Sequence, residues 1–242
     1  MLNVVVIIPF RDRGRDPLRQ MNLDRTLNQW ACHGFHWVVS DDGRSGNDQF
    51  NRSAAYNRAV SEYLEKYGRQ DVFIFAEADM IITDMNQIEE AIHMAGEAPG
   101  LVVPFDEYRY YGDYESILIR KGEDPSSLRP MWEMKAGRSI GAINVVSAET
   151  LNLIGQWDER FEGNWYDDDA MKIAFDVCAG PTRWVEGPAH HLYHLPGHRG
   201  GHLSREDKAA TRRNQTRLGL YREAARQPGA ADRIRDLTMG RR

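Results

Sequence analysis

The chain has 242 residues, with 31 Lys and Arg against 36 Asp and Glu, a net charge of -5, and 41% apolar residues. This composition excludes a disordered tail and a fibrous repeat, and the length fits one large domain or one domain with a small appendage. Two cysteines, Cys32 and Cys178, are too few for a disulfide framework and suit a reducing compartment. The apolar run at residues 4–8 is too short to span a membrane. It also lacks the basic lead and small-residue cleavage site of a signal peptide, so a cytoplasmic protein is expected. Charge is unevenly spread. Residues 199–242 carry 12 Lys and Arg against 5 Asp and Glu, whereas residues 1–198 carry 19 against 31.

The elements follow in order. Val4, Val5, Val6, Ile7 and Ile8 read as a strand buried on both faces, because a half-exposed strand would alternate. Residues 17–33 read as a helix with Asp16 as N-cap and Pro17 at its first position. Residues 35–39 are a second strand. Residues 51–67 form a helix, with Tyr56, Ala59, Val60, Tyr63, Leu64 and Tyr67 at helical spacing and Gly68 as the stop. Residues 72–76 are a third strand. Asp84 can cap a helix running to about residue 95, and residues 101–103 are a fourth strand. This order predicts an α/β fold with a mostly parallel central sheet flanked by helices.

Residues 105–138 carry four tyrosines and Trp132 with little periodicity, and read as a long excursion. Residues 140–146 read as a strand, and Ser147 opens a short helix ending near Gly155. Residues 167–177 are helical and 182–185 a strand. Residues 204–226 form a long helix with Ser204 as N-cap. The chain therefore divides into a body, 1–203, and a basic C-terminal helical extension, 204–242.

Ligands of such sheets bind at the carboxyl ends of the strands. Pro9, Phe10, Arg11 and Arg13 follow the first strand, Asp41 and Asp42 the second, and Glu77 and Asp79 the third. Basic groups and carboxylates on one edge suit a phosphate-bearing ligand with a divalent metal. The triplet Glu77-Ala78-Asp79 offers two hard oxygen ligands for Mn²⁺ or Mg²⁺, although acid-x-acid also occurs at solvated strand ends. Asp167-Asp168-Asp169 can supply a general base with a neighbour that grips a hydroxyl, or can be a dipole-complementing helix start. Five of the eight histidines lie between His190 and His202. Such clustering points to a metal ligand among His190, His191, His194 and His198.

Together these blocks resemble the GT-A nucleotide-sugar glycosyltransferases, in particular the β-1,4-galactosyltransferase family and the related polymerising N-acetylgalactosaminyltransferases. Residues 6–13 (Val-Ile-Ile-Pro-Phe-Arg-Asp-Arg) resemble that family's opening strand and nucleotide-contacting turn. Phe50-Asn51-Arg52 resembles its Phe-Asn-Arg block, and Glu77-Ala78-Asp79 stands at its Asp-x-Asp position. Gly141-Ala142 through Ser147, followed by Asp167-Asp168-Asp169, resembles its small-residue strand and Gly-Glu-Asp-Asp-Asp segment. The resemblance covers about residues 3–195.

It implies a hexosyltransferase using a nucleotide-sugar, in the first instance a UDP-sugar, with Mn²⁺ or Mg²⁺. Pro9, Phe10, Arg11, Arg13 and Arg52 would line the diphosphate pocket. Asp79 would ligate the metal, with Glu77 near the ribose or metal. Asp167 would be the catalytic base and Asp168 the acceptor-gripping carboxylate. A histidine after the last core strand would complete the metal site, His194 first and His191 second. A base on the acceptor side implies inversion at the anomeric carbon.

The sequence departs from the family in carrying Glu77 for the first Asp and Tyr166 for the Glu before the aspartates. It also lacks the Trp-Gly-Trp-Gly-Gly stretch. Donor sugar and acceptor are thus left open among a glycan, a protein and a hydroxymethylated DNA base. The basic segment could reach nucleic acid, but Arg212, Arg213, Arg217 and Arg222 read first as a solvated helix face. Two other classes compete: a nucleotidyltransferase, whose usual Gly-rich phosphate loop is missing, and a non-catalytic nucleotide-sugar or glycan binding module.

Overall fold

The computed structural model describes residues 2–14, 16–46, 48–135, 140–163, 165–195 and 203–241. The apolar run of the sequence becomes β1 (Val4–Pro9), with Val5 to Ile8 fully buried, as expected for a strand covered on both sides. Helix α1 (Pro17–Cys32) starts where Pro17 fixes φ for the first turn and Asp16 accepts the Leu18 N–H. Strand β2 (Trp37–Ser40) returns beside β1. Helix α2 (Arg52–Tyr67) is capped by Asn51 and stopped by Gly68, whose φ of 76° costs a residue with a Cβ more than glycine. Its apolar face buries Tyr56, Ala59 and Tyr63, while Leu64 and Tyr67 of the same predicted set remain exposed. Strand β3 (Val72–Ala76) completes a parallel trio with β1 and β2.

Beyond β3 the connections change character. Strand β4 (Met80–Ile81) leaves the main sheet, and α3 (Asn86–Glu97) leads to β5 (Val102–Val103). Asp84 accepts the N–H of Asn86, but Met85 occupies the cap position itself. Of the expected excursion, 105–138, the described residues 105–135 are structured, and 136–138 lie outside the described residues. It holds β6 (Glu107–Tyr110), α4 (Asp113–Arg120), a 3₁₀ turn and β7 (Trp132–Lys135). Strand β8 (Ile143–Ser147) then inserts between β3 and β5, antiparallel to both. Helices α5 (Ala148–Ile154) and α6 (Asp167–Cys178) precede β9 (Arg183–Trp184) and β10 (Pro188–His191), and α7 (Arg205–Ala224) and α8 (Ala230–Thr238) follow.

The main sheet has the order β2-β1-β3-β8-β5-β9, and among the described strands only β8 opposes the common direction. The α/β class and mostly parallel sheet are therefore as the sequence predicts. A second sheet has the order β4-β10-β6-β7. Residues 77–79 link β3 of the first sheet to β4 of the second, so the acidic triplet lies at the junction of the two.

Residues 204–242 pack into the same core. Leu218, Tyr221, Ile234 and Leu237 belong to the cluster that contains β1, β3 and β8. Arg217, expected on a solvated face, is instead buried. Its Nε donates to Asp158 Oδ2 at 2.5 Å, Nη2 reaches Leu237 O at 2.9 Å, and the Tyr221 hydroxyl donates to the same Asp158 oxygen at 2.8 Å. Arg212, Arg213 and Arg222 are exposed, and Arg213 pairs with Glu206 at 2.8 Å. Removing one partner of a buried ion pair strands the other charge. Arg217→Ala is expected to cost about 3 kcal/mol, read as a lower urea midpoint; an unchanged midpoint would refute this role for the pair. Among the described residues, no helix is long and apolar enough to cross a membrane.

Candidate active site

Two clusters meet at the sheet junction. The first contains Asp79, His191 and His194. Asp79 is held by its backbone: its carbonyl accepts the Leu192 N–H at 2.9 Å, and the neighbouring Ala78 carbonyl accepts Thr26 Oγ1 from α1 at 3.0 Å. Strand geometry sorts the histidines. Consecutive residues of β10 point to opposite faces. His190 therefore turns into a separate small core, fully buried, with Nδ1 3.0 Å from the Tyr111 hydroxyl. His191 turns to Asp79, its Nε2 3.8 Å from Oδ1. His194, just past the strand, brings Nε2 to 3.2 Å from Asp79 Oδ2. One potential ligand atom from each of the three residues lies within 4.8 Å of the others. Of the sequence candidates, His194 and His191 thus reach Asp79 and His190 does not; His198 lies outside the described residues.

This donor set fits a divalent metal. Asp79 Oδ1 is buried and accepts no hydrogen bond, as an oxygen awaiting a cation would. Burial pushes the His191 ring down to about 4, and burial also lowers His194, so both are neutral at pH 7 with lone pairs available. Burial alone would raise the Asp79 carboxyl, but His191, His194 and Arg19 outweigh it and hold it below the ordinary range. His194 Nδ1 lies 2.8 Å from Leu195 O and 3.1 Å from Arg19 Nη2; in the tautomer that donates to Leu195 O, Nε2 is bare toward Asp79. One carboxylate oxygen with two imidazole nitrogens can hold a first-row divalent ion, Mn²⁺ among them.

The second cluster is built around Arg52, at the first turn of α2. Its Nη1 donates to Glu77, and its Nη2 donates to Asp168 and, at 2.6 Å, to Asp167 Oδ2. One guanidinium thereby gathers three carboxylates from two elements. Burial opposes its charge, yet Asp167, Asp168 and Glu77 raise its pKa well above the usual value. The carboxylates are not fully compensated. Burial, with Asp79, Asp168 and Asp167 nearby, pushes Glu77 up to about 8 against the pull of Arg52. Burial and Asp167 push Asp168 up to about 6. Asp167 is nearly enclosed, whereas about a third of the Asp168 side chain is open, 11% against 34% exposure. Gly141 is required beside them: a Cβ there would stand 2.1 Å from Asp168 Oδ2.

The residues after β1 and β2 are placed differently. Arg11 is engaged by the loop that follows β2. Its Nε donates to Asp42 at 2.8 Å, Nη1 to Gly46 O at 2.7 Å and Nη2 to Asp48 O at 2.9 Å. Asp42 also accepts the Asn51 N–H at 2.8 Å, so the pair sets the approach to Arg52. Asp41 is exposed and binds Gly43 N and Arg58. Arg13 reaches Asp207 of α7 at 3.4 Å. Pro9 ends β1, and the Phe10 N–H continues the ladder to Ser40 O at 2.9 Å.

Sequence reasoning missed several neighbours. Arg19 of α1 places Nη2 3.1 Å from His194 Nδ1. Tyr110 stacks on His191 with ring centroids 4.6 Å apart, and Tyr108 lies between His191 and Trp132. The alternation in Glu107-Tyr108-Arg109-Tyr110 was the available signal for a strand with an aromatic face.

No family model matches the chain, and no curated protein matches it. Solved structures do. The catalytic domain of Drosophila β1,4-galactosyltransferase 7, in complex with xylobiose, is similar over 77% of this chain and 65% of its own, at 12% identity and TM-score 0.47. Glucosyl-3-phosphoglycerate synthase from Mycobacterium tuberculosis, with Mn²⁺, UDP-glucose and phosphoglyceric acid, is similar over 94% of this chain and 82% of its own, at 13% identity and TM-score 0.49. GalNAc-T7 with UDP, GalNAc and Mn²⁺ is similar over 93% and 51%, at 12% identity and TM-score 0.46. The chain spans 65% of the length of the galactosyltransferase it matches.

Proposed function

We propose that this protein is a metal-dependent glycosyltransferase that moves a sugar from a nucleotide-sugar, in the first instance a UDP-sugar, to a hydroxyl acceptor. The observation that carries this reading is the junction itself. A metal-ready Asp79-His191-His194 set and an Arg52-centred carboxylate cluster are joined by three consecutive residues, Glu77, Ala78 and Asp79. A binding module has no need of a second, incompletely neutralised carboxylate group beside a cation site, and a cluster of this kind is a sign of chemistry.

In this reading Asp79, His191 and His194 hold Mn²⁺ or Mg²⁺, which would supply Lewis-acid neutralisation of the leaving diphosphate. Arg52 and Arg13 donate charge-assisted hydrogen bonds to the phosphates. Arg11 anchors the loop after β2 through Asp42 and the carbonyls of Gly46 and Asp48. A diphosphate that draws Arg52 loosens its hold on Asp167. Asp167 then takes the proton of the acceptor hydroxyl while that oxygen attacks the anomeric carbon. The bond from that carbon to the diphosphate breaks on the opposite face, its electron pair leaves with the phosphate, and the configuration inverts. Asp168 grips the acceptor hydroxyl. A second assignment, with Asp168 as base, is favoured by its greater exposure and its pKa of about 6, near the operating range of a general base.

The test is UDP release from a panel of UDP-sugars with Mn²⁺, followed by glycan, protein and hydroxymethylated-DNA acceptors. Release that EDTA abolishes and an acceptor accelerates is the expected result. A protein that binds UDP-sugar but never releases UDP is a binding module, and pyrophosphate release from a nucleoside triphosphate would make it a nucleotidyltransferase.

A further inference from the structure

The turn that delivers the aspartate cluster is strained. Trp165 has φ 77° and Tyr166 has φ 73°, the only non-glycine residues with positive φ among those described. A bulky side chain disfavours the left-handed conformation, and such strain persists only where the surroundings enforce it. The turn does not enforce it alone. Tyr166, at the cap of α6, makes no side-chain cap hydrogen bond, and Trp165 is half exposed.

The enforcement comes from the C-terminal segment. Asn214 of α7 is 2% exposed. Its Nδ2 donates to Glu162 O at 2.9 Å and to Trp165 O at 3.1 Å, and its Oδ1 accepts the Glu162 N–H at 3.2 Å. A single amide thus ties Glu162 to Trp165, the first of the two strained residues. The Gly163 N–H, between Glu162 and Trp165, donates to Phe50 O at 2.7 Å, two residues before Arg52. The first turn of α6 is therefore fixed between α7 and the start of α2, the element that carries the arginine its aspartates bind.

We propose that Asn214 is a positioning residue: it holds residues 165 and 166 in the left-handed conformation that aims Asp167 and Asp168 at Arg52. The claim rests on the transferase reading for its kinetic consequence but not for its structural one. Asn214 touches no reacting atom; it sets where the base stands. A displacement of about 1 Å can cost about 100-fold in rate.

The experiment compares Asn214→Ala and Asn214→Asp in the full chain. The aspartate keeps the volume and the acceptor but loses both donors. Both variants are expected to lower kcat for transfer about 10- to 100-fold, with KM for the UDP-sugar within about twofold, because the metal and phosphate groups are untouched. Hydrogen exchange should rise in residues 165–170 while α7 stays protected. Combining Asn214→Ala with Trp165→Gly, which removes the side-chain penalty for positive φ, should recover much of the lost kcat.

Wild-type kcat in Asn214→Ala overturns the proposal. So does a loss that Trp165→Gly does not recover, accompanied by exchange rising evenly along α7, which is the signature of a packing role alone. If the wild-type protein releases no UDP from any donor, the transferase reading falls. The exchange pattern still decides the proposal: unchanged protection at residues 165–170 refutes it.

Discussion

Arg52→Ala will destabilise the fold by about 3–5 kcal/mol, a large fraction of the roughly 5–15 kcal/mol that holds a typical domain together. The reason is arithmetic of charge. Arg52 is the shared partner of Glu77, Asp167 and Asp168, and removing it leaves three buried or half-buried carboxylates facing one another. The loss should depend on pH in a definite direction. Glu77 and Asp168 are pushed up to about 8 and about 6 in the folded protein, above the usual carboxylate values near 4. The folded state thus binds more protons than the unfolded chain between about pH 4 and pH 8, and stability falls as pH rises through that window. Without Arg52 both groups rise further and the slope steepens. Urea midpoints at pH 5 and pH 8 should therefore differ more for the variant than for the wild type. Adding Glu77→Gln should return part of the stability at pH 8. A loss of equal size at both pH values would mean that the carboxylates are not what Arg52 neutralises.

Asp167→Asn is expected to reduce transfer about 10³-fold, within the range for losing a positioned general base, while UDP-sugar still binds. The substitution keeps size and an acceptor oxygen for Arg52, and removes the charge that takes a proton. Its partner experiment, Asp168→Asn, separates the two assignments. If Asp168 grips the acceptor, its loss raises acceptor KM and lowers kcat less; if Asp168 is the base, the two variants exchange behaviour. Calorimetry with UDP-sugar and Mn²⁺ gives the control, because neither aspartate belongs to the Asp79-His191-His194 set. Undiminished turnover in both variants would remove the cluster from catalysis.

Much of this site was legible before the structure. β1 and β3 are buried on both faces, and a continuous apolar run announces that condition directly. Asp16, Ser147 and Ser204 cap their helices because a short polar side chain before an apolar period satisfies orphan N–H groups. Asp79, Arg52, Asp167 and Asp168 were singled out by their place after strands or at helix starts, together with the family resemblance, and the fold brings Arg52, Asp167 and Asp168 into contact. Three features were beyond reach. The direction of β8 depends on a crossing through residues 105–138, whose β6 and β7 pair with each other outside the main sheet. Only the pleat of β10 separates His190 from His191. The engagement of Arg11 by Asp42 and three carbonyls is a property of a folded loop, not of spacing. The same holds for Arg19, which is 175 residues from His194 in sequence.

The packing of α7 against the aspartate turn also bears on synthesis. A nascent chain emerges N-terminus first, so β1, β3 and Arg52 are available long before residue 214 leaves the ribosome. Until then Glu162 and Trp165 lack the amide that joins them, and Arg13 and Gln49 lack Asp207. An incomplete chain would carry every residue of the metal set without a fixed base beside it. In the transferase reading, activity would then arrive only with the last two helices, whose Leu218, Tyr221, Ile234 and Leu237 also complete the core.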